Sequence, residues 1–282
     1  MSVKEKNNRA MSNISLVTER RFMCKINDFA LIIEKNLINL CIKAANISRG
    51  EVVKQDYYSW ARNSYFEGYN KVFDMNIPLD NIKEVIILLR KNIELEIAPK
   101  HLLINSFNEP IILENYLKSL NFDMFYQQSG MAIDLASFEF ESNDNLGKIR
   151  TIKSANELQE WILITEEAFR KKRNSHMYKI FLNEIDIRFY GCYYKDKIVA
   201  TLMLYIKDAI AGIHLVSTAN EFRGKGFGTL ITKTALSDAK DLGCKYSVLQ
   251  ASDMGRNVYK NIGFKEYCKI RHWEYNKLYN RY

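Results

Sequence analysis

The segment that decides the fold is VSTANEFRGKGFGTLITKTALSDAKD, which spans residues 216–241. An apolar run ending at Val216 leads into a loop rich in glycine and positive charge, and the loop opens into a predicted helix. The helix is predicted because Phe227, Ile231 and Ala235 recur at four-residue steps, which gives one apolar face. A helix N-terminus presents converging backbone N–H groups, and its dipole favours negative charge. The segment therefore predicts an anion-binding site.

The residues of the loop indicate which anion it binds. Gly224, Gly226 and Gly228 let the backbone approach a ligand closely, because they carry no Cβ. Arg223 and Lys225 add fixed positive charge beside them. We interpret the loop as a site for a pyrophosphate.

Two familiar phosphate-binding motifs do not fit this loop. A Walker A loop needs G-x-x-x-x-G-K-[ST], and no Gly-Lys pair in the chain is followed by Ser or Thr. The dinucleotide fingerprint G-x-G-x-x-G would begin at Gly224, but Thr229 stands at its third glycine position. The spacing that fits is R-x-x-G-x-G, beginning at Arg223. With YKNIGF at residues 259–264, the chain resembles the GNAT superfamily of N-acetyltransferases.

The resemblance implies a mixed α/β fold, of the α+β kind, with a mostly antiparallel sheet flanked by helices over residues 148–276. It also implies acetyl-coenzyme A as co-substrate, and no metal ion. The positions that match cofactor-binding positions of the family are Val216, Ser217 and Thr218 for the pantetheine arm and the acetyl carbonyl, and Arg223, Gly224, Lys225, Gly226, Phe227, Gly228 and Thr229 for the pyrophosphate. Ser252 falls where relatives often carry an asparagine that contacts the pantetheine arm. The alternative is that Ser252 serves only as a helix N-cap.

Two residues are candidates for catalysis. Tyr259 matches the tyrosine that assists the leaving sulfur in many family members, and the alternative is a core tyrosine with a satisfied hydroxyl. The strand glutamate of histone-acetylating relatives falls at Gly212, so that general base is absent. His214 lies two residues further on the same strand face and can accept a proton at neutral pH, although a structural histidine is the alternative. Glu166 and Glu167 are weaker candidates for the base.

The basic run Arg170–Arg173 follows the first predicted helix of the second half. In relatives this segment borders the acceptor groove, so the run could favour an acidic acceptor or reach the cofactor phosphates. The alternative is a solvated helix end, where cations lie near the negative pole of the helix dipole.

Composition and charge exclude several classes of protein. The five cysteines are scattered and form no C-x-x-C pair, which argues against a disulfide framework or a zinc site and favours a reducing cytoplasm. The apolar run near residues 30–40 is interrupted by Glu34 and Lys35, so we expect neither a signal peptide nor a membrane span. Residues 1–145 have a net charge of −2 (17 Lys/Arg, 19 Asp/Glu) and residues 146–282 one of +10 (24 and 14). A polyanionic cofactor accounts for part of this excess, and no stripe of basic and aromatic residues suggests nucleic acid.

The chain is predicted to contain two domains, residues 1–145 and 146–282, joined by the polar segment 139–148. The second half shows the element order of the GNAT fold. The first half holds a fainter version, in which LKSLNF at residues 117–122 corresponds to YKNIGF at 259–264 but no glycine-rich loop exists. We interpret it as a degenerate copy without a cofactor site, preceded by an amphipathic helix over 26–48. An unrelated α/β extension is the alternative.

These observations together predict an acetyl-coenzyme A-dependent N-acetyltransferase. Its acceptor is expected to be a primary amine of a small molecule or peptide that attacks the acetyl group directly. One alternative is a coenzyme A-binding sensor without turnover. Others are an enzyme that transfers a different acyl group, or one that modifies a protein N-terminus. The sequence identifies neither the acceptor nor an oligomeric state.

Overall fold

A computed structural model describes residues 28–65, 67–105, 110–141 and 146–277. The strands of this part of the chain are β1 (Glu51–Lys54), β2 (Ser59–Arg62), β3 (Lys71–Phe73), β4 (His101–Asn105), β5 (Phe122–Asp134), β6 (Lys148–Thr151), β7 (Ile187–Tyr194), β8 (Lys197–Lys207), β9 (Ile210–Thr218), β10 (Tyr246–Ala251) and β11 (Lys265–Tyr275). Its α-helices are α1 (28–47), α2 (Ile82–Glu94), α3 (Pro110–Ser119), α4 (Ala155–Phe169), α5 (Ser175–Phe181), α6 (Phe227–Asp241) and α7 (Asp253–Ile262).

All described strands form one open, mostly antiparallel sheet. Their order is β1-β2-β3-β4-β11-β5-β10-β9-β8-β7-β6, and only the neighbours β3/β4 and β9/β10 are parallel. With the helices on its faces, this sheet gives the mixed α/β, mostly antiparallel architecture that the sequence predicted.

The two halves of the chain repeat one arrangement within this sheet. A parallel pair, with a helix between its strands, is followed by a second helix and a long final strand: β3-α2-β4-α3-β5 in the first half, β9-α6-β10-α7-β11 in the second. The final strands are exchanged, since β11 pairs with β4 and β5 pairs with β10. At the centre β5 and β11 pair with each other, from Lys265↔Ala132 to Tyr275↔Phe122. The predicted boundary at 139–148 falls in the connection from β5 to β6.

The sheet is covered on both faces by helices. Helix α1 buries Ile33, Leu40 and Ala44 in a cluster that also contains Val248 of β10 and Ile270 of β11. Helix α6 buries Ile231, Ala235 and Leu236 in a separate cluster with strands β8 and β9. Helix α1 therefore packs against strands of the second half, although it precedes the repeated elements of the first half in the chain.

Local signals in the sequence account for several element ends. Lys195 and Asp196 both have positive φ, 49° and 64°, as a two-residue turn between twisted strands requires. Gly243 (φ 82°) and Gly263 (φ 118°) end α6 and α7 in the left-handed conformation that glycine adopts readily.

Some predicted details differ from the structure. The sequence of residues 174–185 predicts a helix that ends at Ile185, but α5 ends at Phe181 and Ile185 is exposed. The helical spacing of apolar residues predicts Leu242 on the buried face of α6 and Val258 on that of α7, but these residues are 44% and 38% exposed. Leu242 is the residue that ends α6, and Val258 lies on a short helix of which only Ile262 is buried. The start of the predicted first helix, residues 26–27, lies outside the described residues.

Candidate active site

Strands β9 and β10 separate near their C-terminal ends and leave a cleft. Their parallel pairing runs from Tyr246↔Ile210 to Leu249↔Ile213 and then stops. Beyond that point β9 pairs only with β8, whereas β10 pairs only with β5. The facing backbone edges are therefore available to a ligand.

A bulge in β9 produces this separation. His214 pairs with Met203 and Ser217 with Thr201, so β9 holds one extra residue at this point. Leu215 adopts a φ of 53°, and its carbonyl turns to accept hydrogen bonds from the hydroxyls of Thr201 (3.5 Å) and Ser217 (3.4 Å). Val216, Ser217 and Thr218, the predicted pantetheine-binding residues, form the end of the strand after the bulge.

The glycine-rich loop folds back on the end of β9. The Arg223 Nε donates to the Thr218 carbonyl at 3.2 Å, and the Lys225 ammonium donates to the Glu221 carbonyl at 3.0 Å. Gly226 is the N-cap of α6, with a φ of 88° and no side-chain cap. The first N–H groups of α6 therefore point out of the helix without an intrahelical partner.

Glycine is required at different positions of the loop for different structural reasons. Gly224 (φ 74°) and Gly226 need positive φ, although a Cβ on Gly224 would meet nothing within 4 Å. Gly228 has no such need, but a Cβ there would lie 3.4 Å from the Thr218 hydroxyl, in the space in front of the first helical turn. This loop fits an anionic group: it combines free N–H donors, backbone open to approach and two exposed cations.

A cavity of about 350 Å³, here called the central cavity, opens beside the cleft. The second half contributes residues 213–216 of β9, the end of β10, Ser252 and Tyr259. Helix α1 and strands β3, β4, β5 and β11 supply the opposite wall. Both halves of the chain therefore build one site.

Tyr259 lies on α7 with its side chain at the central cavity. Its ring contacts Phe264 edge-on at 5.9 Å between centroids, and its hydroxyl has no hydrogen-bond partner among the described residues. Burial raises the pKa of the Tyr259 phenol, so the hydroxyl keeps its proton at neutral pH. Ser252 accepts a hydrogen bond from the Gly255 N–H at 3.2 Å, which makes it the N-cap of α7, and it also lines the cavity.

His214 also lines the central cavity, and a residue of α1 orients it. Its Nε2 lies 3.2 Å from the Oδ1 of Asn36. Burial lowers the pKa of His214 to about 4, so the ring is neutral at physiological pH. Gly212, the position of the missing glutamate, lies beneath this pair.

The basic run after α4 is divided between two environments. Lys172 forms an exposed pair with Glu166 at 3.1 Å, and the Arg173 N–H donates to the same carboxylate at 2.7 Å. Lys171 and Arg173 line the central cavity. Glu167 accepts a hydrogen bond from the Asn220 amide. Both carboxylates that were weaker candidates for the base therefore already have hydrogen-bond donors.

Sequence reasoning missed the residues that line the opposite wall of the cavity. Lys71, His101 and His272 line the wall opposite Tyr259. The His272 Nε2 lies 2.9 Å from the Gln128 Oε1, and burial lowers the pKa values of His272 and His101 to about 3 and 4. These residues belong to no motif, and only the exchanged sheet brings them to the site.

Comparisons with known proteins agree with this geometry. Residues 156–264 match the sequence profile of the Acetyltransferase (GNAT) family. A GCN5-related N-acetyltransferase from Kribbella flavida superposes with a TM-score of 0.69 at 15% identity, over 85% of this chain and 95% of that chain. A GCN5-related N-acetyltransferase from Sphaerobacter thermophilus gives 0.61 at 14% identity, over 77% and 76%. A functionally unknown conserved protein from Staphylococcus epidermidis gives 0.61 at 15%, over 82% and 96%.

No curated protein sequence matches the chain significantly. The solved structures, at these identities, establish the fold. Fold and family profile together define an acyltransferase. Its acetyltransferase domain, residues 156–264, belongs to the GNAT family. None of the described helices is long and apolar enough to cross a membrane.

Proposed function

We propose that the protein is an acetyl-coenzyme A-dependent N-acetyltransferase that acts on a primary amine. The observation that carries the proposal is the cleft between β9 and β10, with the glycine-rich loop at its end and Tyr259 and His214 beside it. Acetyl-coenzyme A supplies an activated acetyl group, and the chain's residues bind, orient and exchange protons.

The cofactor-binding role is divided along β9, the loop and α7. Residues 223–229 offer backbone N–H groups and two cations to the pyrophosphate. The unpaired edge of β9 at 216–218 offers backbone groups to the pantetheine arm and the acetyl carbonyl, and preorganised N–H donors stabilise an oxyanion. Ser252 lies across the cleft from this edge, where its hydroxyl can add a contact while it caps α7.

Tyr259 is proposed to donate a hydrogen bond to the leaving sulfur. A phenol with a pKa near ~10 is about 1.5 units weaker as an acid than a thiol near ~8.5, so full proton transfer costs roughly 2 kcal/mol. Burial raises the pKa of Tyr259 further, which increases this cost. A hydrogen bond that strengthens as charge develops on sulfur is therefore its role.

His214 is proposed to accept a hydrogen bond from the attacking amine. Its pKa of about 4 makes it a poor base for an ammonium ion, whose pKa in free solution is near ~10.4. The amine must therefore reach the cleft as the neutral base. Once the nitrogen has attacked, its proton becomes more acidic and can pass to the neutral imidazole or to water.

A coenzyme A-binding module without turnover is the second candidate function. Gly212 and the low pKa of His214 favour it, because neither supplies a strong base. A thiol-release assay with acetyl-coenzyme A and a panel of small amines, peptides and antibiotics separates the two. Acceptor-dependent thiol release supports the enzyme, whereas tight coenzyme A binding without release on any acceptor supports the module. Activity confined to peptides with a free α-amine would identify an N-terminal acyltransferase.

The first half is proposed to be a degenerate copy of the second. The repeated element order supports this, as does Asn121, whose φ of 65° ends the α3 region in the place that Gly263 takes after α7. Where the second half has its glycine-rich loop, the first has Pro78 and a short turn at Leu79–Asn81. We propose one cofactor site per chain for this reason.

A further inference from the structure

The first half places a lysine in the central cavity. Lys71 begins β3 and lines the same cavity as Tyr259 and His214, but it belongs to the opposite wall. Its side chain is half-buried, and desolvation lowers the pKa of its ammonium group. A cation in such a position is costly unless an anion compensates it.

No carboxylate of the described residues forms an ion pair with Lys71. Glu67 and Glu274 are the carboxylates near enough to influence Lys71. Both are ion-paired with Lys100, at 3.4 and 2.7 Å. No Asp or Glu is among the described residues that line the cavity. The Lys71 ammonium therefore has no ion-pair or hydrogen-bond acceptor within the described ranges.

Two further cations make the central cavity positive. Lys171 and Arg173 line the cavity from the segment after α4. His101 and His272 are neutral, because burial lowers their pKa values to about 4 and 3. The Cys41 thiol stays protonated, since burial raises its pKa to about 12.

The cofactor phosphates do not explain this positive charge. The loop that suits a pyrophosphate, residues 223–229, does not line the central cavity. The cations of the cavity are therefore separate from the cations of the loop, and they face the space left for the acceptor.

We propose that the acceptor carries an anionic group, a carboxylate or a phosphate, besides its amine, and that this group pairs with Lys71. The inference rests on the proposed function, because it assigns the central cavity to the acceptor. The same positive charge disfavours a second ammonium group, so diamines that lack an anionic group are expected to be poor acceptors. It also favours the neutral form of the reacting amine, which the weak base His214 requires.

Matched pairs of amines test the proposal. Phenylalanine is compared with phenethylamine, lysine with cadaverine, and O-phosphoethanolamine with ethanolamine. In each pair, the first compound carries a carboxylate or phosphate and is called the anionic member. We expect the anionic member of at least one pair to show at least a tenfold lower KM, and the pair concerned distinguishes carboxylate from phosphate.

Lys71→Met should abolish this preference by raising KM for the anionic member, with kcat changed less. Lys71→Arg should restore part of it. Lys91→Met, an exposed lysine of α2 outside the cavity, is the control and should keep the preference.

Calorimetry on the coenzyme A-saturated protein keeps this test separate from turnover. The inference is supported if the wild type binds the anionic member more tightly and Lys71→Met loses this difference. This holds even when no acceptor is acetylated, and in that case only the proposed function fails. Three results overturn the inference: equal binding of both members of every pair, tighter binding of the member that lacks a carboxylate or phosphate, or a preference that survives in Lys71→Met. If Lys71→Met is not folded by circular dichroism, Lys71→Gln takes its place.

Discussion

The Nε2 of His214 lies 3.2 Å from the Oδ1 of Asn36, and the two side chains fill the space above Gly212. A Cβ on Gly212 would lie 1.9 Å from that oxygen and 2.7 Å from the histidine nitrogen. Helix α1, which precedes the repeated elements of both halves, thus occupies the place where a glutamate would project. The active-site strand and the helix that covers it are adapted to each other.

This contact predicts the effect of a substitution at Gly212. Gly212→Ala should lower the free energy of unfolding by roughly 1–3 kcal/mol, because the methyl group overpacks against Asn36. Asn36→Ala should relieve part of this cost, so the double variant should be more stable than the two single effects predict together. Urea denaturation of the four proteins checks this. Strict additivity would show that the two positions do not contact each other.

Cofactor binding should depend on Gly226. Gly226→Val places a β-branched residue at a φ of 88° in the pyrophosphate loop, and we expect at least tenfold weaker acetyl-coenzyme A binding, or about 1.4 kcal/mol, by calorimetry. Gly243→Val is a matched control, since it imposes comparable strain (φ 82°) at the other end of the same helix. Equal losses of affinity in both variants would assign the effect to folding rather than to the loop.

Stoichiometry tests the interpretation of the first half. Calorimetric titration with coenzyme A should saturate at one molecule per chain, because Pro78 and the turn after it offer no glycine-rich cradle. Two sites per chain would contradict the assignment of residues 1–145 as a copy without a cofactor site.

Tyr259→Phe should lower kcat on the order of a hundredfold and leave cofactor affinity near its original value. The phenol is proposed to act on charge that exists mainly in the transition state, and the ring that packs on Phe264 is retained. Tyr246→Phe removes a hydroxyl outside the central cavity and serves as the control. If Tyr259→Phe has a normal kcat under conditions where chemistry limits the rate, the Tyr259 hydroxyl takes no part in the reaction and the residue serves only in packing.

Acid should destabilise the protein through its buried histidines. The folded-state pKa of His214 is about 4, below the ordinary value of 6.5, so the unfolded chain binds more protons between these values. The contribution of His214 to the free energy of unfolding is therefore complete above pH 6.5. It decreases as the pH is lowered towards 4, by up to about 1.4 kcal/mol per pH unit for one histidine. His214→Gln should reduce the slope of stability against pH in this window. An identical slope in the variant would show that His214 titrates normally in the folded state.

Local structure could be predicted from the sequence where a local signal exists. The bounds of α4, β4 and β10 follow from apolar periodicity, and the Lys195-Asp196 turn from its position between two strand patterns. Strands β1 and β2 were missed, because four-residue segments with charged ends carry too little pattern.

Long-range arrangement could not be predicted in the same way. No local signal in β5 or β11 specifies which half of the chain each strand pairs with, so their exchange could not be predicted. That exchange brings His272 to the site, and the packing of α1 brings Asn36. The glycine-rich loop, by contrast, could be located from its residues alone, since its function depends on backbone conformation.

The position of β11 has a consequence for synthesis on the ribosome. The strand that fills the centre of the sheet, between β4 and β5, consists of residues 265–275 of a chain of 282. Translation proceeds at roughly 5–20 residues per second, so β11 is synthesised on the order of ten seconds or more after β5. Until β10 is made, β5 has neither of its neighbours, and until β11 is made, one edge of β4 and one edge of β5 remain open to pairing with another nascent chain. A product truncated before Lys265 would keep those edges permanently, which makes it a substrate for chaperones and proteases rather than a smaller enzyme.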